Sequence, residues 1–351
     1  MSLSHIKTVD DLKHYLHLAM QLEHATIPTY ITALYSIIPG TNTDASHIIR
    51  VVAVEEMLHL TLAANLLNAI GGKPDLTADG FVPGFPTPLP DGEDDFTVSL
   101  QKFSPEAIET FCKIERPARA GEGKRHRKKT TEDAELCLVP YDDTLSFYSI
   151  GEFYEEIRHG FVNLYEEMGD ALFCGDPARQ ATSEFYYSGG GELFAVTDID
   201  SAKAAIELIS EQGEGLGGRI YDTEGELAHY YRFDQIRQGR YYQKGDKAHE
   251  PSGPEFKVDW DAVYPVKTNT YLADLEASDE LHAAAVAFND LYAAFLQQLT
   301  DAYNGDPSIL LKAVPEMFHV RDGVLQLMRN PLPGADGINA GPTFEIGGAR
   351  T

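Results

Sequence analysis

Cysteine, basic charge and long apolar runs are all scarce in this chain, and each shortage removes a class of protein. The three cysteines, Cys112, Cys137 and Cys174, are odd in number and widely spaced, with no Cys-x-x-Cys pair. That pattern argues against a disulfide framework or a structural zinc site, and it fits a reducing compartment. Lys and Arg total 28 against 55 acids, a formal charge of −27. Such an excess of acid speaks against nucleic acid or an anionic membrane as a partner, unless part of it is buried on cations. There is no run of about eighteen or more apolar residues, the length needed to suggest a membrane span. The opening stretch, Met1 to Met20, lacks the uninterrupted apolar core of a secretory signal. The expectation is a soluble, cytoplasmic protein with no nucleic acid and no membrane among its partners. At 351 residues and 43% apolar, the chain has ample material for a core.

What is present is helical periodicity. A first helix is expected after Thr8-Val9-Asp10, running through Leu12, Leu16 and Met20 to Ile37-Ile38, where Pro39-Gly40 stops it. Pro28 falls inside it and is expected to kink it or free a carbonyl. A second opens at Thr43-Asp44 and closes at Gly71-Gly72-Lys73-Pro74. The link between them is short, so the two should pack antiparallel. Residues 75–140 read as an insertion of proline-rich loop, with a short helix from Ser104-Pro105 and a basic, solvated run, Lys124 to Lys129. A third long helix is expected over about Asp143–Met168. Two short strands around Gly189-Gly190-Gly191 fit residues 171–200. A fourth helix follows from about Asp200 to Glu211, then a helical segment over Glu224–Phe233. Residues 241–351 form a C-terminal extension with a strong helix at about 279–303 and a short one near 320–328. The bundle is thus assigned to residues 1–240.

The chemistry-bearing stretch is Glu55-Glu56-Met57-Leu58-His59, inside an apolar segment from Ile48 to Ile70. Glu56 and His59 stand three apart and leave one helix face together. An ionised carboxylate in so apolar a helix needs a partner, and a metal ion is one. Glu23 and Glu56 lie at about equal distance from the hairpin turn, and at ~1.5 Å rise per residue they fall at the same height. Glu-x-x-His also occurs at Glu156/His159 and Glu226/His229, so the bare motif is weak. A di-metal carboxylate bundle takes one carboxylate from each of two helices and a carboxylate with a His from each of two others. For the second half two readings stay open. Glu211 and Glu214 could act with His229 reaching in, or Glu226/His229 could form the pair with Glu214 as the lone carboxylate. On the third helix Glu156 borders the apolar stripe, and Glu152 lies opposite.

Leu22-Glu23-His24-Ala25-Thr26-Ile27-Pro28-Thr29-Tyr30, the stretch Glu55 to Pro74, Ile150-Gly151-Glu152-Phe153-Tyr154, and Gln212-Gly213-Glu214-Gly215 with His229-Tyr230 together resemble the bacterial ferritin-like family. Within it, the chain looks like the group that shares its domain with the C-terminal part of iminophenyl-pyruvate dimer synthase. The similarity covers most of residues 5–235, and Ala340-Gly341-Pro342-Thr343-Phe344 also looks familial. The fold it implies is mainly α: a ferritin-like four-helix bundle with long loop and short β insertions and extra C-terminal helices. The resemblance implies Glu23, Glu56, His59, Glu152, Glu214 and His229 as metal ligands, with Glu211 a further candidate and Glu152 preferred to Glu156. It implies two iron ions, with manganese the alternative, and an oxidase or oxygenase using dioxygen or peroxide on a small organic substrate. A manganese catalase-like enzyme, a storage protein and a structural protein are the competing readings, and a homo-oligomer is compatible with all of them. Tyr30, Tyr148, Tyr154 and Tyr230 are candidates for contacts around the ligands.

Overall fold

The computed structural model describes residues 5–89, 96–117, 149–186, 191–214, 219–223 and 225–346. Helix α1 (Val9–Ser36) starts at a capping box, in which Thr8 accepts from the Asp11 amide and the Asp11 carboxylate accepts in return from the Thr8 amide. It runs unbroken through Pro28. Helix α2 (Thr43–Ala69) ends where Gly71 takes a left-handed φ of 72°, a conformation that costs glycine little.

Helix α3 (Pro105–Ile114) has Ser104 as its cap and proline in its first turn. Helix α4 (Ile150–Met168) is capped by Ser149. The expected start of this helix near Asp143 lies outside the described residues, as does the basic run at 124–129. Helices α5 (Ile199–Glu214), α6 (His229–Gln238), α7 (Asp279–Asn304) and α8 (Ile309–Met328) complete the set. Helix α6 opens on His229 itself, later than the expected Glu224, because the preceding residues turn back in a Tyr221–Leu227 bridge. Helix α8 is a full twenty residues, longer than the short helix expected near 320–328.

The principal packing pairs are α1 with α2 and α4 with α5, closed into a bundle by contacts of α1 with α4 and α2 with α5. Helices α3 and α6 pack on each other, and the α7–α8 pair lies against α2 and α1. That outer pair explains an anomaly of burial. Every residue from Leu22 to Ala33 in α1, and from Leu58 to Ala69 in α2, is buried, so both helices are covered all round. Polar residues on their outer faces must therefore find protein partners. His24 does so on α7, where its Nε2 lies 2.8 Å from the Tyr292 hydroxyl.

The described residues hold isolated β-bridges and no sheet. Of the two strands expected within 171–200, neither forms among the described residues, which hold short 3-10 turns at Pro177–Arg179 and Ser183–Phe185 and an irregular stretch at 192–197, tied by the Ser183 amide donating to the Leu193 carbonyl; Tyr187 and the Gly189-Gly190 turn lie outside the described residues. The aromatic and β-branched residues there pack on the bundle individually and do not pair in a ladder. No described helix is long and apolar enough to cross a membrane.

Candidate metal centre

Midway along α1 and α2, Glu23, Glu56 and His59 converge, as the matched heights require. A second group, Glu56, Glu115 and His229, adjoins it, and within each group one ligand atom per residue lies within 4.8 Å of the others. All five residues are buried. Glu56 belongs to both groups, and its two oxygens face different imidazoles. Oε2 lies 3.8 Å from His59 Nδ1, and Oε1 lies 2.9 Å from His229 Nδ1. The outer carboxylates complete the arrangement, with Glu23 Oε2 3.6 Å from His59 Nδ1 and Glu115 Oε2 3.6 Å from His229 Nδ1.

A supporting ring repeats the same logic twice. His59 Nε2 donates to the Gln212 side-chain carbonyl at 2.9 Å, and His229 Nε2 donates to Glu55 at 2.8 Å. Each bond fixes its imidazole with Nδ1 turned toward the carboxylates. Tyr154 donates to Glu23 Oε1, and Tyr30 donates to Glu115 Oε1 at 2.5 Å. The two outer carboxylates are thus each held through one oxygen, and the other faces the centre. Arg232 closes the set at 2.7 Å from Glu55, the one buried cation that the described residues offer nearby.

The charge states follow from burial and neighbours. Burial pushes the Glu23 carboxyl up to about 8, against the pull of His59. Burial also opposes charge on His59, but the Glu23 and Glu56 carboxylates facing it outweigh burial and raise the imidazole to about 10. Burial and the Glu56 charge raise Glu115. Burial opposes charge on Glu56 as well, but the His229 and His59 imidazoles beside it overcome that cost and hold it below the ordinary carboxylate range. Burial opposes charge on His229 too, but the hydrogen bond to Glu55 and the nearby Glu115 and Glu56 carboxylates outweigh it and raise the imidazole well above its usual value. Three clustered carboxylates share too few cations, so protons are drawn in to hold the charge down.

The donor set suits a metal. Carboxylate oxygens and imidazole nitrogens are ligands for iron, manganese and zinc. Although Glu56 Oε1 is 2.9 Å away, His229 Nδ1 makes no hydrogen bond of acceptable angle. A buried nitrogen aimed at two carboxylates without a hydrogen bond is what a ligand position looks like before a cation is counted.

Four of the residues read from the sequence come together here: Glu23, Glu56, His59 and His229. Glu152 and Glu211 stand in neither group. Glu152 is half-buried in the first turn of α4, and Glu211 accepts from the Thr223 hydroxyl at 3.0 Å near the surface. Glu214 closes α5, and its side chain lies outside the described residues. Glu226 is exposed, and Glu156 is buried where it accepts from the His5 amide at 2.5 Å. Of the tyrosines, Tyr30 and Tyr154 donate to Glu115 and Glu23, Tyr230 turns to His249 and Arg237, and Tyr148 lies outside the described residues.

The residue the sequence reading missed is Glu115, from the segment treated as loop insertion. It is the C-cap of α3, and it continues the apolar stripe Ile108, Phe111, Cys112 by one further turn. An acid on the apolar face of a short amphipathic helix was the available signal.

The match to the ferritin-like family spans residues 16–238, and the chain belongs to that family. A solved structure of a ferritin-like protein from Caulobacter vibrioides shares its fold, with a TM-score of 0.60 at 22% identity, over 92% of this chain and 96% of that one. Dichlorochromopyrrolate synthase of Lentzea aerocolonigenes is 28% identical over 84% of this chain. The chain spans 29% of that relative's length.

Proposed function

We propose that this protein is a di-metal oxidoreductase acting on a small organic molecule with dioxygen or peroxide. The observation that carries the reading is Glu56, whose two oxygens face two imidazoles, each backed by its own hydrogen-bond acceptor. In this reading Glu23, Glu56 and His59 would hold one ion, and Glu56, Glu115 and His229 the other. Glu152, Glu211 and Glu214 are the reserve from which a further ligand would come. When bound, two iron ions, or manganese in their place, would supply one-electron redox chemistry and Lewis acidity toward an oxidant.

The chain's own residues do the rest. Gln212 and Glu55 orient the imidazoles, Tyr30 and Tyr154 hold the outer carboxylates, and α7 and α8 seal α1 and α2 from water. Tyr30 and Tyr154 keep their protons, since burial pushes both hydroxyls well above their usual value. The relative named as a synthase of dichlorochromopyrrolate supports a small organic substrate as the class; its own reaction is not carried over.

Elemental analysis of the full chain after anaerobic loading tests the reading. About two iron or manganese ions per chain are expected, together with oxidant consumption that depends on an organic cosubstrate. Metal content well under one per chain would overturn it. Rapid oxygen release from peroxide alone would shift it to catalase-like disproportionation.

A further inference from the structure

The two halves of the carboxylate cluster match group for group except at one position. In one half Tyr154 donates to Glu23, Glu23 and Glu56 face His59, and His59 donates to Gln212. In the other Tyr30 donates to Glu115, Glu115 and Glu56 face His229, and His229 donates to Glu55. The halves therefore differ in what backs the imidazole, an uncharged amide in one and a carboxylate in the other. We propose that they fill in order, the Glu115–His229 half first, so that the chain carries one ion at low free metal and a second only when free metal rises. This inference rests on the di-metal reading above and adds to it the order of loading. The Glu23–His59 half then sets the level of free metal at which the pair is complete.

Three observations carry the order. The first is the backing group. A carboxylate behind an imidazole raises its basicity as a ligand, and partners of this kind are worth about ten- to a hundredfold in metal affinity. Arg232 lies on the same Glu55 oxygen at 2.7 Å. It damps the influence of Glu55 without cancelling it, because it stands further from the ring than the carboxylate does, and Gln212 brings no charge at all.

The second observation is spacing. His229 Nδ1 lies 2.9 Å from a Glu56 oxygen and 3.6 Å from a Glu115 oxygen. His59 Nδ1 lies 3.8 Å from Glu56 and 3.6 Å from Glu23. Less movement gathers the His229 group on one cation. The short elements that deliver this group are also held in advance. Phe111 of α3, Phe233 of α6 and Tyr30 of α1 are all buried and pack with ring centroids between 4.7 and 5.3 Å apart. The third observation is His229 Nδ1 itself, a buried nitrogen without a hydrogen bond. A polar atom left unanswered in the interior gains most from a ligand bond.

Anaerobic calorimetric titration of the metal-free full chain with Co(II), a redox-stable probe, tests the order. Two steps are expected, the first tighter by about tenfold or more. Glu23→Gln should keep the tight step and lose the weak one, and Glu115→Gln should do the reverse. Glu55→Gln should weaken the tight step by about tenfold and leave the weak step in place, so that the two merge. The Glu23 and Glu115 variants leave the Glu55–Arg232 pair untouched, and they assign the steps even if Glu55→Gln fails to fold. Two equal steps, loss of the tight step in Glu23→Gln, or an unmoved tight step in a folded Glu55→Gln protein would overturn the order and leave the di-metal reading standing. No saturable binding of Co(II) would overturn that reading itself, and the order with it.

Discussion

At the scale of single residues, the central fact is that one carboxylate serves two groups. Glu56 faces both imidazoles, whereas Glu23 and Glu115 each face one. Removing it should therefore cost more than removing either outer acid. Glu56→Gln is expected to lower bound metal to well under half, and Glu23→Gln or Glu115→Gln to remove about one ion of two, by elemental analysis at fixed free metal. The two imidazoles also differ in what stands behind them. His229 donates to a carboxylate and His59 to an amide, so the His229 imidazole is the more strongly polarised of the two. Glu55→Gln should weaken metal binding by about tenfold or more, the usual cost of losing such a partner. Gln212→Glu should tighten the His59 side or leave it unchanged. Competition titration against a chromogenic chelator reads both, and a Glu55→Gln protein with unaltered affinity would show that Glu55 does no more than pair with Arg232.

At the scale of elements, the centre depends on how short segments are anchored. Helix α3 is ten residues long and delivers Glu115 from its C-terminal end. Its Ser104 cap accepts from the Ala107 amide at 3.1 Å. Ser104→Ala should destabilise the protein by about 1 kcal/mol, seen as a lower denaturant midpoint with an unchanged slope. The end of α2 is a tighter case. A Cβ on Gly175 would stand 1.8 Å from the Asn68 carbonyl oxygen, and backbone cannot rotate away as a side chain could. Gly175→Ala is expected to cost more than about 2 kcal/mol by the same measurement, in the range of severe overpacking.

The hairpin of α1 and α2 was legible before any coordinates, because caps, a Pro-Gly stop and matched distances from the turn are local properties. Glu115 was not. Its helix has an apolar stripe but no ligand motif along it, and what Glu115 faces is set by α3 packing beside α6. The expected strands at 171–200 failed for the opposite reason. Strand-like composition was present, but a ladder needs a partner strand, and the bundle surface took those side chains one at a time.

At the scale of the whole molecule, charge and burial are in tension. Three carboxylates and two imidazoles from four helical segments are packed where water does not reach. A bound cation pair would relieve the repulsion among them and tie the segments together. Chelation should therefore lower the melting temperature, and re-addition of metal should restore it. The gain is about 2.7 kcal/mol when free metal stands a hundredfold above the dissociation constant. Glu56→Gln should blunt that response. Identical melting with and without metal would show that the cluster is satisfied by protons alone.

By itself, the sequence determined the paired helices, the shared height of Glu23 and Glu56 and the His59 partner, since each follows from periodicity, capping and spacing along one or two segments. Which acid would stand opposite His229 was decided by tertiary packing, and so was the all-round burial of α1 and α2 by α7 and α8. Those outcomes depend on which surfaces meet across more than a hundred residues of chain, and no local pattern encodes that meeting.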